Sequence, residues 1–184
     1  MKPLNLKAEN SALLIIDIQE VLFPLISENE RIAKNANILI NGSKILDIKT
    51  IIVEQYTKGL GFTIKELQKS CEDLIHLEKT SFSAYLDHKE VLDELKTKGI
   101  DTIIISGIET HICVYQTAKD LIQNGFNVCV AYDACGSRLL ENHDKALSTL
   151  KHIGATIIPT ETILFEILKT AKHPKFKEIS KLVK

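Results

Sequence analysis

Short apolar runs and helix-periodic stretches alternate along the whole chain. Six runs, at residues 12–18, 50–54, 74–77, 102–106, 127–131 and 155–158, are continuous and rich in Ile and Val. Unbroken apolar character suits strands buried on both faces of a parallel sheet, where an alternating pattern would mark a half-exposed one. Between them, residues 31–48, 63–70, 87–98, 113–124, 143–152 and 162–170 carry helical spacing. Gly99, Gly125 and Gly154 each sit just past a helical stretch and before a strand, where helices take their C-terminal caps. Six strand-then-helix units predict an α/β fold: a three-layer α/β/α sandwich around a doubly wound, Rossmann-like, six-stranded, mostly parallel sheet. No repeat, linker or low-complexity tract divides residues 1–184, which read as a single domain. The tail from His173, HPKFKEISKLVK, is expected to form a short surface helix or a packing arm.

Composition removes several function classes. The 184 residues suffice for one well-buried domain and are too few for two comfortable ones. With 23 basic and 24 acidic residues the chain lacks an electrostatic footprint for nucleic acid or an anionic membrane. The apolar runs are strand-sized, well below membrane-spanning length. The start, MKPLNLKAENS, lacks the apolar core of a signal peptide, so a cytoplasmic location is expected. Cys71, Cys113, Cys129 and Cys135 form no C-x-x-C pair, which points to reduced thiols and no zinc framework.

In an open parallel sheet the carboxyl ends of the strands face one crevice, and residues there can act together. Reading off those ends gives Asp17, Glu54, Gln55, Lys79, the loop from Gly107 to Cys113, and Asp133. Cys113 opens a helical pattern in which Val114, Ala118, Leu121 and Ile122 recur. A helix N-terminus carries partial positive charge and free N–H groups, which biases a cysteine there toward its thiolate. Cys113 is thus a candidate nucleophile, Asp17 a candidate base and then acid, and Lys79 a cation beside both. Each has a plainer reading: a small buried hydrophobe, a helix cap and a solvated lysine.

Three motifs carry a resemblance beyond these spacings: ALLIIDIQE (12–20) with Asp17, EKTSFSAY (78–85) with Lys79, and GIETHICVYQTAKDL (107–121) with Cys113, followed by GFNVCVAYDACGSR (125–138). Together they resemble the isochorismatase-like cysteine hydrolases, a family that includes the nicotinamidases, over almost the whole chain. The resemblance implies a Cys113–Asp17–Lys79 triad and a cis peptide between Ile108 and Glu109. It also implies an oxyanion hole from the backbone N–H groups of Glu109 and Cys113. Metal-dependent nicotinamidases carry Asp-x-His plus a further His after the second strand. The matching VEQYTKGLGF (53–62) has neither Asp nor His, so no metal or other cofactor is expected. His76 and His88 read as structural, and His111 is a candidate for the pocket mouth or an exposed loop histidine.

The expected activity is hydrolysis of a small amide or related C–N compound through a covalent Cys113 intermediate. A small molecule is the expected partner, without nucleic acid or membrane. A homo-oligomer, dimer or larger, is expected, with Tyr115 and Gln116 at a candidate interface. Substrate contacts are expected from Leu22, Phe23, Gln55, Tyr56, Phe82 and Tyr85, with Leu60 and Phe62 nearby. The alternative is a catalytically weak family member serving as a scaffold or binding protein.

Overall fold

Six strands pair into one sheet: β1 (Ser11–Ile16), β2 (Lys49–Gln55), β3 (Ile75–Lys79), β4 (Thr102–Ile108), β5 (Asn127–Gly136) and β6 (Thr156–Ile158). Their order is β3-β2-β1-β4-β5-β6 and every pairing between named strands is parallel, so the sheet is all-parallel rather than mostly so. The computed structural model describes residues 5–184. The first four residues of the expected 1–184 domain, and of its N-terminal stretch, lie outside the described residues.

The helices are α1 (Asn29–Ile45), α2 (Thr57–Leu60), α3 (Lys65–Cys71), α4 (Ala84–Asp87), α5 (Lys89–Thr97), α6 (Tyr115–Gln123), α7 (Leu140–His152), α8 (Thr160–Leu168) and α9 (Phe176–Leu182). They divide between the two faces because successive strand residues point to opposite sides. Leu13, Ile15 and Ile52 join one apolar layer with α1, α3, α8 and α9. Leu14, Ile16 and Val53 join the other with α4, α5, α6 and α7. Both layers cover the central strands, which is why β1 and β4 are buried along their whole length. The tail is a packing arm: α9 buries Ile179 completely, and Phe176 meets Phe165 of α8 edge to face at 6.2 Å.

Three departures from the sequence reading bear on the site. β3 runs two residues further than expected, to Lys79, so the lysine is the last strand residue and pairs in register with Gln55. β5 continues to Gly136 through a register shift against β4 between Ile105 and Gly107. The stretch expected as one helix from Cys113 begins instead as a π turn, Thr110–Val114, ahead of α6.

Candidate active site

The order of the sheet reverses at β1, whose neighbours β2 and β4 lead to crossovers on opposite faces. A crevice forms at such a switch point, beyond the carboxyl ends of the strands. β1 ends at Ile16 and the chain turns out at Asp17 in the left-handed region, φ 55°, while the Asp17 N–H still donates to Val53 O at 2.9 Å. Aspartate tolerates this conformation better than most residues. Across from it, Gly107 of β4 has φ 144°, and a Cβ there would lie 2.2 Å from the Ile16 carbonyl oxygen. Only glycine lets the two backbones close beneath Asp17. The next peptide, Ile108–Glu109, is cis, and the π turn that follows carries Cys113.

Lys79 and Asp17 form an ion pair, Nζ to Oδ2, at 2.8 Å, with both side chains 0% exposed. Lys79 also donates to Gln55 Oε1. Asp17 Oδ1 is buried without a partner of ordinary hydrogen-bond geometry among the described residues. Burial pushes the Asp17 pKa above the usual carboxylate range; Lys79 and the Cys113 thiol pull it down, but by less. Cys113 itself is 7% exposed. Burial, followed by the Asp17 charge, pushes its thiol up to about 12, against the opposing pull of Lys79. This burial works against the expected thiolate bias. Cys113 lies within the π turn rather than at a free helix start, and desolvation outweighs the N-terminal field. Burial thus favours the protonated thiol, beside the Asp17 carboxyl with its unpartnered oxygen.

Surrounding contacts fix this arrangement. The buried Gln19 donates from Nε2 to the carbonyls of Gln55 and Gly61, and its Oε1 accepts from Gln55 N–H at 2.7 Å. That staples the loop after β1 to the end of β2. The Glu109 carboxylate accepts from the N–H and Nε of Arg138, at 2.9 and 3.1 Å, so this side chain is held away from the chemistry. Thr110 Oγ1 contacts His143 Nδ1 at 2.9 Å, locking the π turn to α7, and burial keeps the His143 pKa low. Thr117 of α6 accepts the Ala84 N–H at 2.9 Å. Gln19, Arg138, His143 and Thr117 were not singled out from sequence, because each acts on a residue far along the chain.

Asp17, Lys79 and Cys113 are brought together; several other expected site residues are not. Tyr85 is buried in the apolar layer, T-stacked on Phe126 at 6.5 Å, and its hydroxyl donates to Asp93 at 2.8 Å. Its side chain is engaged in packing within that layer. Leu22 and Phe23 pack against the layer on the sheet face opposite Cys113. Tyr56, Phe62 and Phe82 are exposed on the loops after β2 and β3, with Phe82 54% accessible. Gln55 belongs to the site through Lys79. Asp133 lies within β5, and its Oδ1 accepts from Thr160 N–H and Oγ–H at 2.8 Å, which caps α8. His111 contacts Ser137 Oγ at 2.9 Å and borders a recess with Tyr115 and α7. His88 Nε2 donates to Glu78 O and His76 Nε2 to Cys71 O. Among the described residues, no group of three or more His, Cys, Asp or Glu side chains is placed to hold a metal.

Comparison with known proteins adds to this geometry. A family model described as isochorismatase domain matches residues 11–162. The chain is 39% identical over 180 residues to isochorismatase domain-containing protein 2 of Danio rerio, covering 97% of this chain and 89% of that protein. It is 36% identical over 181 residues to isochorismatase domain-containing protein 1 of the same organism, where it covers 98% of this chain and spans only 63% of the relative's length. Among solved structures, the MAR1 ribonuclease of Caenorhabditis elegans is similar at a TM-score of 0.90 and 35% identity, covering 98% of this chain and 92% of that one. The YcaC gene product of Escherichia coli, described as an octameric hydrolase of unknown specificity, shares the fold at a TM-score of 0.88 and 23% identity, covering 99% of this chain and 91% of that one.

Proposed function

The chain belongs to the isochorismatase family, and on that premise we propose that it is a cysteine hydrolase of small amides or related C–N compounds, with Cys113 as nucleophile, Asp17 as base and acid, and Lys79 as their electrostatic partner. The observation that carries the proposal is the fully buried Lys79–Asp17 pair beside the Cys113 thiol. A buried ion pair is seldom worth more to stability than apolar residues of the same volume. Its burial beside a nucleophilic atom therefore argues for chemistry.

In the proposed reaction Asp17 takes the thiol proton as Sγ attacks the carbonyl carbon. The backbone N–H groups of Glu109 and Cys113 face the developing oxyanion. The C–N bond breaks, and the amine leaves with the proton held on Asp17, giving a thioester. Asp17 then takes a proton from water, which attacks the thioester; the acid departs and the proton returns to Sγ. Lys79 keeps the ionised carboxyl and thiolate forms within reach in a dry site. Gln55, Tyr56 and Phe82 are the remaining candidate substrate contacts, and no metal or cofactor takes part.

A panel of small amides, assayed for ammonia release, tests this. Release by the wild-type protein and its loss in Cys113→Ser are expected; release that survives Cys113→Ala would exclude the thiol. A second reading comes from the name of the C. elegans relative, a ribonuclease. The near-neutral charge of this chain, formally −1, and a lysine committed to Asp17 and Gln55 both disfavour it. Cleavage of RNA in place of amides would reverse the order of the two. The scaffold alternative predicts neither activity.

We further propose a homo-oligomer in a cytoplasmic setting. The fold-mate from E. coli is described as octameric, and Tyr115 and Gln116 lie on the partly open face of α6. Light scattering at micromolar concentration should exceed the mass of one 20.6 kDa chain. Among the described residues no helix is long and apolar enough to cross a membrane.

A further inference from the structure

A second cavity of about 450 Å³ opens on the other side of the sheet from Cys113, between edge strand β3 and the loop and helix that follow β2. Glu54 forms its floor. Val53 belongs to the Cys113 layer, so Glu54, one residue on, points to the opposite face, where Cys71 is packed. The Glu54 side chain is 8% exposed, and a carboxylate that deep needs its charge answered. Its Oε1 is answered fully, accepting the N–H and the Oγ–H of Thr63, both at 2.7 Å. Its Oε2 is not. The nearest basic atom is His76 Nδ1 at 3.8 Å, beyond hydrogen-bond distance. His76 Nε2 donates to the Cys71 carbonyl, which can only accept.

The rest of the lining complements a cation carrying an apolar body. Phe62, 61% exposed, forms a wall, the buried Cys71 adds apolar surface, and Glu72 adds a second carboxylate against the single ammonium of Lys69. An aromatic face beside a largely buried carboxylate is a setting in which organic ammonium and amidinium groups bind. A metal ion is the poorer fit, because no third ligand of the His, Cys, Asp or Glu type joins Glu54 and His76 among the described residues.

We propose that this cavity is a binding site for a small organic cation, an ammonium or amidinium group with an attached apolar moiety. Its charged end seats on Glu54 Oε2 and its apolar part lies against Phe62. The site is separate from the Cys113 crevice and does not depend on the hydrolase reading.

Titration of the ¹⁵N-labelled full chain with benzylamine, and separately with uncharged benzyl alcohol, tests the proposal by NMR. Benzylamine is expected to saturate, with shifts centred on Glu54, Phe62, Thr63, Cys71 and His76, while benzyl alcohol binds roughly ten-fold or more weakly. Glu54→Gln, which keeps an acceptor for Thr63, should weaken benzylamine by a similar factor, and Phe62→Ala should weaken both compounds. Equal binding of the two compounds, no saturable binding by either, or shifts centred on Cys113 would each overturn the proposal. So would zinc binding at Glu54 and His76 with none by benzylamine. The comparison of the two compounds needs only the wild-type protein, so it decides the matter even if Glu54→Gln fails to fold.

Discussion

Cys113 and Cys135 lie in the same apolar layer against the same sheet, and burial pushes both thiols up to about 12. Burial acts on the two in the same direction. What separates them is company. The Cys135 Sγ offers a weak contact to the Ile105 carbonyl at 3.9 Å and is wholly covered. The Cys113 thiol sits against the Asp17 carboxylate and the Lys79 ammonium, with a little of its surface open. On the proposed reading, a carboxylate to take the proton and a cation to hold the charge make the difference.

Removing the base should break the comparison most severely. Asp17→Asn nearly preserves shape but can neither accept the thiol proton nor return it to the leaving amine. Steady-state hydrolysis should fall by about 10²–10⁴-fold. Turnover within a factor of two of wild type would return Cys113 to the same class as Cys135.

Stability gives the next largest effect. Asp17→Asn or Lys79→Met alone leaves one charge buried without its counter-ion, at a cost of about 3–5 kcal/mol each. The double variant removes both charges and should lie closer to wild type than the sum of the two, as urea unfolding would show. Additive losses would mean that the pair is not coupled. Cys135→Ala should cost only about 1–2 kcal/mol, for one lost sulfur and a small cavity. It should leave the rate of Cys113 alkylation unchanged, as thiol mapping by mass spectrometry can establish. The smallest expected effect is none: thorough chelation should not alter hydrolysis, because residues 53–62 hold no Asp or His. One tightly bound zinc per chain would contradict this.

The sheet was readable from sequence because burial on both faces leaves runs such as ALLII and TIII, which need no knowledge of partners. The candidate triad was readable because strand ends in a parallel sheet share one edge, so three distant residues could be matched by position alone. The acidity of Cys113 was misread, since how deep a side chain lies depends on what covers it, and the sequence does not state that. The packing of Tyr85, Leu22 and Phe23 was hidden for the same reason: their place in a loop or at an element end is visible, but the face they turn to is not. Glu109 with Arg138, Thr110 with His143, and Glu54 with Thr63 are side-chain pairings set by tertiary approach, and they leave no periodic trace.

The most direct test of the account is the pH profile of iodoacetamide alkylation at Cys113 in wild type, Asp17→Asn and Lys79→Met, with Cys135 read in the same samples. The Asp17 charge raises the thiol pKa and the Lys79 charge lowers it, so the two variants should move the profile in opposite directions. Asp17→Asn should react at lower pH than wild type even as its turnover collapses, and Lys79→Met only at higher pH, while Cys135 stays inert in all three. Superimposable curves, or shifts of the same sign, would contradict the assignment of Cys113, Asp17 and Lys79 to one working unit.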